Sequence, residues 1–291
     1  MPTSIESPYD NNSKLWLKGN LHAHTTESDG KRSPQAVVND YAARGYDFLM
    51  ISDHDKLTDP AKLDARGMTL IPGNEVSAKG PHLLHINAKT RLEPDPDRQK
   101  VLDSIAEQRG LAVLNHPNWH ENYNHCPQEK LASWKNYIGI EIFNGVIRRL
   151  PGSEYATDRW DQLLGSGKRV WGFANDDSHT DEDAELGWNV VQSASRSVQD
   201  ICTAMERGAF YASTGLKIES IQVHGRTLHV RAPEAERIVL SCDYGRRVTH
   251  IDRPEITFHV PEDVGYSYLR VECHGRGERV AWTQPFFIKR S

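Results

Sequence analysis

Between residues 17 and 177 this chain runs through seven short apolar segments, each closing on polar residues and separated from the next by a stretch of helical character. They are Leu17–His24, Phe48–His54, Thr69–Ser77, Leu83–Ala88, Leu111–Pro117, Gly139–Asn144 and Arg169–Asp177. Apolar runs of this length need cover on both faces, so their alternation with helices predicts βα units around a largely parallel sheet. Helix starts are written as well. Ser33 stands as N-cap before Pro34 at the first helical position, with an end near Gly45, and Ser197 precedes Asp200 by three residues. From Lys217 the character shifts to IESIQV, TLHVRA, RIVLSC, EITFHV, YSYLRVEC and RVAWTQPFFI, broken by turn residues such as Gly225, Pro233, Pro254 and Gly275. That pattern predicts a small antiparallel β-sandwich over 216–291 behind an α/β domain over 1–215.

The charge balance narrows the function classes. Lys and Arg total 35 against 40 Asp and Glu, a formal charge of −5, and no dense basic tract occurs, so an extended nucleic-acid partner is not expected. Mean hydropathy is −0.64 and no long apolar run appears, which argues against a membrane partner. The opening MPTSIESPYDNNS lacks the basic and apolar regions of a signal peptide, so a cytoplasmic location is expected. Cys126, Cys202, Cys242 and Cys273 form no C-x-x-C pair, and reduced, buried thiols are the expectation.

Histidine is the informative residue: nine of the 14 fall before residue 180, several beside carboxylates. His22 and His24 alternate on a strand, so both imidazoles project to one face and can reach one ion, with Asp29 close behind. His54 is flanked by Asp53 and Asp55, Glu75 follows Gly73-Asn74, His116 precedes Pro117, and Asp177-x-His179 repeats the alternating geometry of the first pair. Singly, each of these reads equally well as a solvated turn or cap. Together they fall at the carboxyl ends of predicted parallel strands, which converge on one face in this architecture. Nitrogen and oxygen donors without thiolate suit zinc, manganese or iron, and their number exceeds what one catalytic ion needs, so two or three divalent metal ions are expected. Asp53, Asp55 and Asp176 are candidates for proton shuttling or orientation. Arg148, Arg149 and the loop Asn118–Cys126, with His120, are candidates for binding an anionic small-molecule substrate.

The segments HAHTTESDG, ISDHD, GNEVS, LNHPNW, EIFNG and NDDSH occur in the order and approximate spacing of the PHP family, named for polymerase and histidinol phosphatase, and the chain resembles that family over residues 17–215. The resemblance implies a distorted (β/α)7 barrel. It implies His22, His24, Glu75 and Asp177 around a first metal, Glu75 and His116 on a second, and Asp29, His54 and His179 on a third. His85 resembles a histidine of some phosphatase members and joins the candidate ligands, while His120, His125 and Glu141 are alternatives for the second ion's last position. The β-rich tail ending in AWTQPFFI is similar to the branch that includes carbaryl hydrolase. The function expected is hydrolysis of a small phosphomonoester or nucleotide-like phosphodiester through a metal-bridging hydroxide. A carbamate or carboxylic ester hydrolase is the second reading, and a non-catalytic metal-stabilised binding module the third. The tail is expected to wall the cleft or to join a homo-oligomer.

Overall fold

The computed structural model describes residues 3–12 and 15–290. Its first strands are β1 (Thr3–Glu6), β2 (Trp16–Asn20), β3 (Phe48–Leu49), β4 (Thr69–Leu70), β5 (Gly73–Val76) and β6 (Leu83–Ile86). β7 (Leu111–Leu114), β8 (Gly139–Asn144), β9 (Trp171–Asn175), β10 (Trp188–Gln192) and β11 (Phe210–Ser213) follow. Interspersed are helices α1 (Pro34–Ala43), α2 (Arg98–Glu107), α3 (Gln128–Ser133), α4 (Thr157–Gly165) and α5 (Val198–Glu206). The remaining strands are β12 (Ser220–His224), β13 (Thr227–Arg231), β14 (Arg237–Cys242), β15 (Arg246–Ile251), β16 (Glu255–His259), β17 (Tyr268–His274), β18 (Val280–Thr283) and β19 (Phe286–Arg290).

Both expected caps are present: the Ser33 hydroxyl accepts from the Ala36 N–H, and the Ser197 hydroxyl from that of Asp200. Apart from β8, which matches its run, the strands are shorter than the apolar runs. Most candidate ligands fall in turns just past strand ends, while Glu75 and His85 lie within β5 and β6.

The described strands form a mixed α/β fold in which no ladder joins them into one closed barrel sheet. β2, β3 and β4 pair in parallel at one end of an 11-stranded sheet, while β5 to β9 form a separate five-stranded sheet. The parallel expectation holds for β7, β8 and β9 but not for β6, which runs antiparallel to both β5 and β7. The two sheets face each other across a core that includes Leu17, Phe48, Leu84, Val113 and Phe173. At the carboxyl end, isolated parallel bridges from Ala23 to Ser178 and from His54 to Glu75 stitch them together.

The C-terminal strands make a sandwich. The sheet β12-β13-β16 packs Ile221, Leu228 and Val230 against Leu240, Leu269, Val271 and Phe286 of the larger sheet. That larger sheet runs unbroken across residue 215, because β18 pairs with β11, and β1 pairs antiparallel with β19. A buried ion pair from Arg270 of β17 to Asp161 of α4 ties the sandwich to the first half. All four cysteines are buried with free thiols. No helix among the described residues is long and apolar enough to cross a membrane.

Candidate metal centre

Glu75 lies at the middle of a buried cluster on the stitched face. Its Oε1 is 3.3 Å from His22 Nε2, 3.4 Å from His116 Nε2 and 3.2 Å from His82 Nδ1. Its Oε2 is 2.7 Å from His54 Nδ1 and 3.7 Å from His24 Nε2. Asp177 completes a neighbouring set, with Oδ1 at 3.2 Å from His22 Nε2 and 3.1 Å from His24 Nε2. A third set gathers around Asp29, whose Oδ2 is 3.3 Å from His179 Nε2 and 3.6 Å from His54 Nε2. The donor atoms of His24, Asp29, His54 and His179 all lie within 4.8 Å of one another, as do those of His22, Glu75 and His116 and of His22, His24 and Asp177.

The residues fit divalent cations by the state of their buried atoms. His22 Nε2, His24 Nε2, Glu75 Oε2 and His116 Nδ1 are buried and have no hydrogen-bond partner among the described residues, a costly condition unless a ligand satisfies them. Burial opposes charge on Glu75, but the imidazoles of His82, His22 and His116 outweigh it and hold its carboxyl well below the usual range. Burial likewise opposes charge on Asp177, and His22 and His24 hold it down. Both thus stand as carboxylates, the form that binds metal. Asp177 and His116 also adopt left-handed backbone, φ 54° and 25°, which costs on the order of 1–3 kcal/mol each and is typical of residues aimed into a functional site.

A shell of neutral and acidic partners aims the donors. Glu141 is buried; its Oε1 accepts from His22 Nδ1 at 2.8 Å and Asn175 Nδ2 at 2.9 Å, and its Oε2 from the His116 N–H at 2.9 Å and Asn144 Nδ2 at 2.8 Å. With Nδ1 on Glu141, His22 turns Nε2 toward Glu75 and Asp177. Asn115 Nδ2 donates to Glu75 Oε1 at 2.6 Å. His125 Nε2 accepts from the backbone N–H of His82 at 3.0 Å, so its proton sits on Nδ1, 3.2 Å from His120 Nε2.

The remaining sequence candidates are placed as follows. His85 stands apart from the cluster: it pairs with Asn74 across the ladder, and Glu75 with Leu84, so pleating turns His85 to the opposite face. There both its ring nitrogens are buried without partners. Asp53 takes Thr25 N–H at 2.8 Å, Thr25 Oγ1 at 2.8 Å, Ser28 Oγ at 2.7 Å and Thr58 Oγ1 at 3.0 Å, and so anchors the turn that carries His24 and Asp29. Asp55 caps Ser77 and Ala78. Asp176 is buried under Tyr41, Asn20 and the N–H groups of Glu185, Leu186 and Gly187, and burial pushes its carboxyl up to about 6 against those bonds. None of these three aspartates lines the cavity above the cluster. Arg148 pairs with Glu278 and also stays outside the cavity, and His120 stacks on Trp119 at 4.2 Å.

That cavity encloses about 250 Å³. Its walls beyond the cluster are Trp119, Val146, Ile147, Leu150 and Arg149, the last held by Asp183 at 2.8 and 2.9 Å. His82 is a member of the cluster that the sequence reading misses. Its signal is the H-x-x-H spacing with His85, and a parallel β6 would favour His85 over it.

No family model matches the chain. Over 78 residues, 24% of its length, it is 37% identical to a 5'-3' exoribonuclease of Haemophilus influenzae, and the match covers 28% of that relative. Among solved structures, a two-domain protein from Bacteroides vulgatus containing a predicted PHP-like metal-dependent phosphoesterase aligns over 99% of both chains, with a TM-score of 0.58 and 17% identity. A lesion-specific endonuclease from Pyrococcus furiosus aligns over 78% of this chain and 62% of its own, with a TM-score of 0.48 and 12% identity.

Proposed function

We propose that this chain, whose fold is similar to that of a two-domain protein containing a PHP-like phosphoesterase, is a metal-dependent hydrolase that cleaves a phosphoester of a small molecule. The observation that carries the reading is the gathering of His22, His24, Glu75, His116 and Asp177 around buried donor atoms that lack hydrogen-bond partners. Two or three divalent ions, drawn from zinc, manganese or iron, suit these donors. When bound, such ions supply Lewis acidity toward a phosphoryl oxygen and lower the pKa of water.

The chain's own residues do the rest. Glu141 holds His22 in one tautomer and fixes the backbone of His116. Trp119, Val146, Ile147 and Leu150 offer apolar walls that exclude water from one side of the cavity and suit the organic part of a substrate. Arg149 is the cation of the lining, and Asp183 fixes its fork so that one nitrogen is left for a substrate oxygen. A nucleotide-like diester draws support from the local likeness to an exoribonuclease. A small monoester fits the same ligands.

The deciding experiment adds Mn²⁺, Zn²⁺ or Fe²⁺ to metal-free protein and screens phosphomonoesters, phosphodiesters, aryl esters and carbamates. Turnover of phosphoesters alone is the expected result. Turnover of esters or carbamates alone would move the assignment to a carbamate or carboxylic ester hydrolase. No turnover at full metal load would leave a metal-stabilised binding module.

A further inference from the structure

The loop Ser77–Pro81 reverses the chain between Glu75 on β5 and His82 just before β6, and it must bring both side chains to one point. It forms no regular element, so its backbone polar groups need partners from elsewhere. Its carbonyls find them in one residue. The Arg98 guanidinium, at the start of α2, donates from Nε to Pro81 O at 2.7 Å and from Nη2 to Ser77 O at 3.0 Å, Ala78 O at 2.9 Å and Gly80 O at 2.9 Å. Nη1 reaches Asp95 O at 3.0 Å. Arg98 is 1% exposed and makes no ion pair among the described residues; burial opposes its charge, while the loop carbonyls and the more distant carboxylates of Asp55, Glu75 and Asp95 favour it. From the other side Asp55 accepts from Ser77 N–H, Ser77 Oγ and Ala78 N–H.

We infer that Arg98 is a positioning residue for the metal centre: by gathering four loop carbonyls it fixes His82 beside Glu75 and sets the affinity for the ion that His82 shares with Glu75 and His54. The inference rests on the metal-dependent reading above. A lysine cannot replace this fork, since its three donors radiate from a point whereas the guanidinium spreads five in a plane. The fold does not require the contact to the same degree. Val76 and Leu83 remain paired, and α2 stays docked through Val101, Leu102 and Ile105.

The test titrates Mn²⁺ into metal-free full chain by calorimetry, with elemental analysis of the loaded protein, for the native sequence and for H82N, R98K and G80A. G80A matters because a Cβ there would lie 3.1 Å from Arg98 Nε and press the guanidinium by a few tenths of an ångström while keeping its charge. H82N identifies the ion concerned. R98K and G80A are expected to weaken that same ion by on the order of ten- to hundredfold and to leave the others bound. Native affinity for every ion in both folded variants overturns the inference; should R98K fail to fold, G80A decides by the same criterion. If the native chain takes up no ion, the metal-dependent reading itself fails. If it does and H82N loses none, only the role given to Arg98 and His82 falls.

Discussion

Glu75 touches all three donor sets, because His22, His116 and His82 face one of its oxygens and His54 and His24 the other. Glu75→Gln should therefore lower activity by more than the roughly 10- to 100-fold that an outer partner of a metal ligand is worth, and should reduce the metal content measured on the purified protein. Retained metal with retained turnover would show that the centre lies elsewhere. Chelation should lower the thermal midpoint, because ions that bind only the folded chain stabilise it; re-addition at about 100 times the Kd should restore about 2.7 kcal/mol. At this scale the sequence is informative. His22, His24, Asp29, His54, Glu75, His116, Asp177 and His179 each follow an apolar run within a few residues, and the cluster draws on all of them. The asparagines and Glu141 that orient them sit inside runs such as EIFN, where nothing in composition separates an orienting side chain from a buried structural one.

Strand direction decides which residue of a run reaches the site. A parallel strand delivers its last residues to the carboxyl face, as β7 does with His116. β6 runs the other way, so its first residues arrive there, and His82 rather than His85 stands beside Glu75. Periodicity reports that a strand exists but is blind to its direction, which is why the α/β class was legible and the place of His82 was not. The tight fit at β5 gives an element-scale prediction. A Cβ on Gly73 would lie 2.1 Å from Met50 Sδ and 2.7 Å from the His85 carbonyl, and the backbone oxygen cannot yield cheaply. Gly73→Ala should cost about 1–3 kcal/mol in urea unfolding.

Across the whole molecule, the break in composition near residue 215 is not a break in hydrogen bonding. β11 pairs with β18, so a chain ending at residue 215 would expose a long sheet edge; it should aggregate or unfold where the full chain is folded, as circular dichroism and light scattering can check. Arg270 and Asp161 join the two halves while buried at 3% and 7% exposure. Arg270→Ala leaves a buried carboxylate without its partner and should cost about 3–5 kcal/mol. The neighbouring Glu272 is pushed up by burial but pulled down further by Arg270 and His274, to about 2 from 4.5. A depressed folded value means that its stabilisation is complete above 4.5 and fades as the pH falls toward about 2. The stability difference between the native chain and Glu272→Gln should shrink over that interval, and a constant difference would contradict the assignment.

The pairing of β1 with β19 carries a consequence for biosynthesis. Thr3–Glu6 is synthesised long before its partner Phe286–Arg290. The nascent chain must therefore hold that segment in waiting until Phe286–Arg290 has been made, and this register of the sheet is set only then.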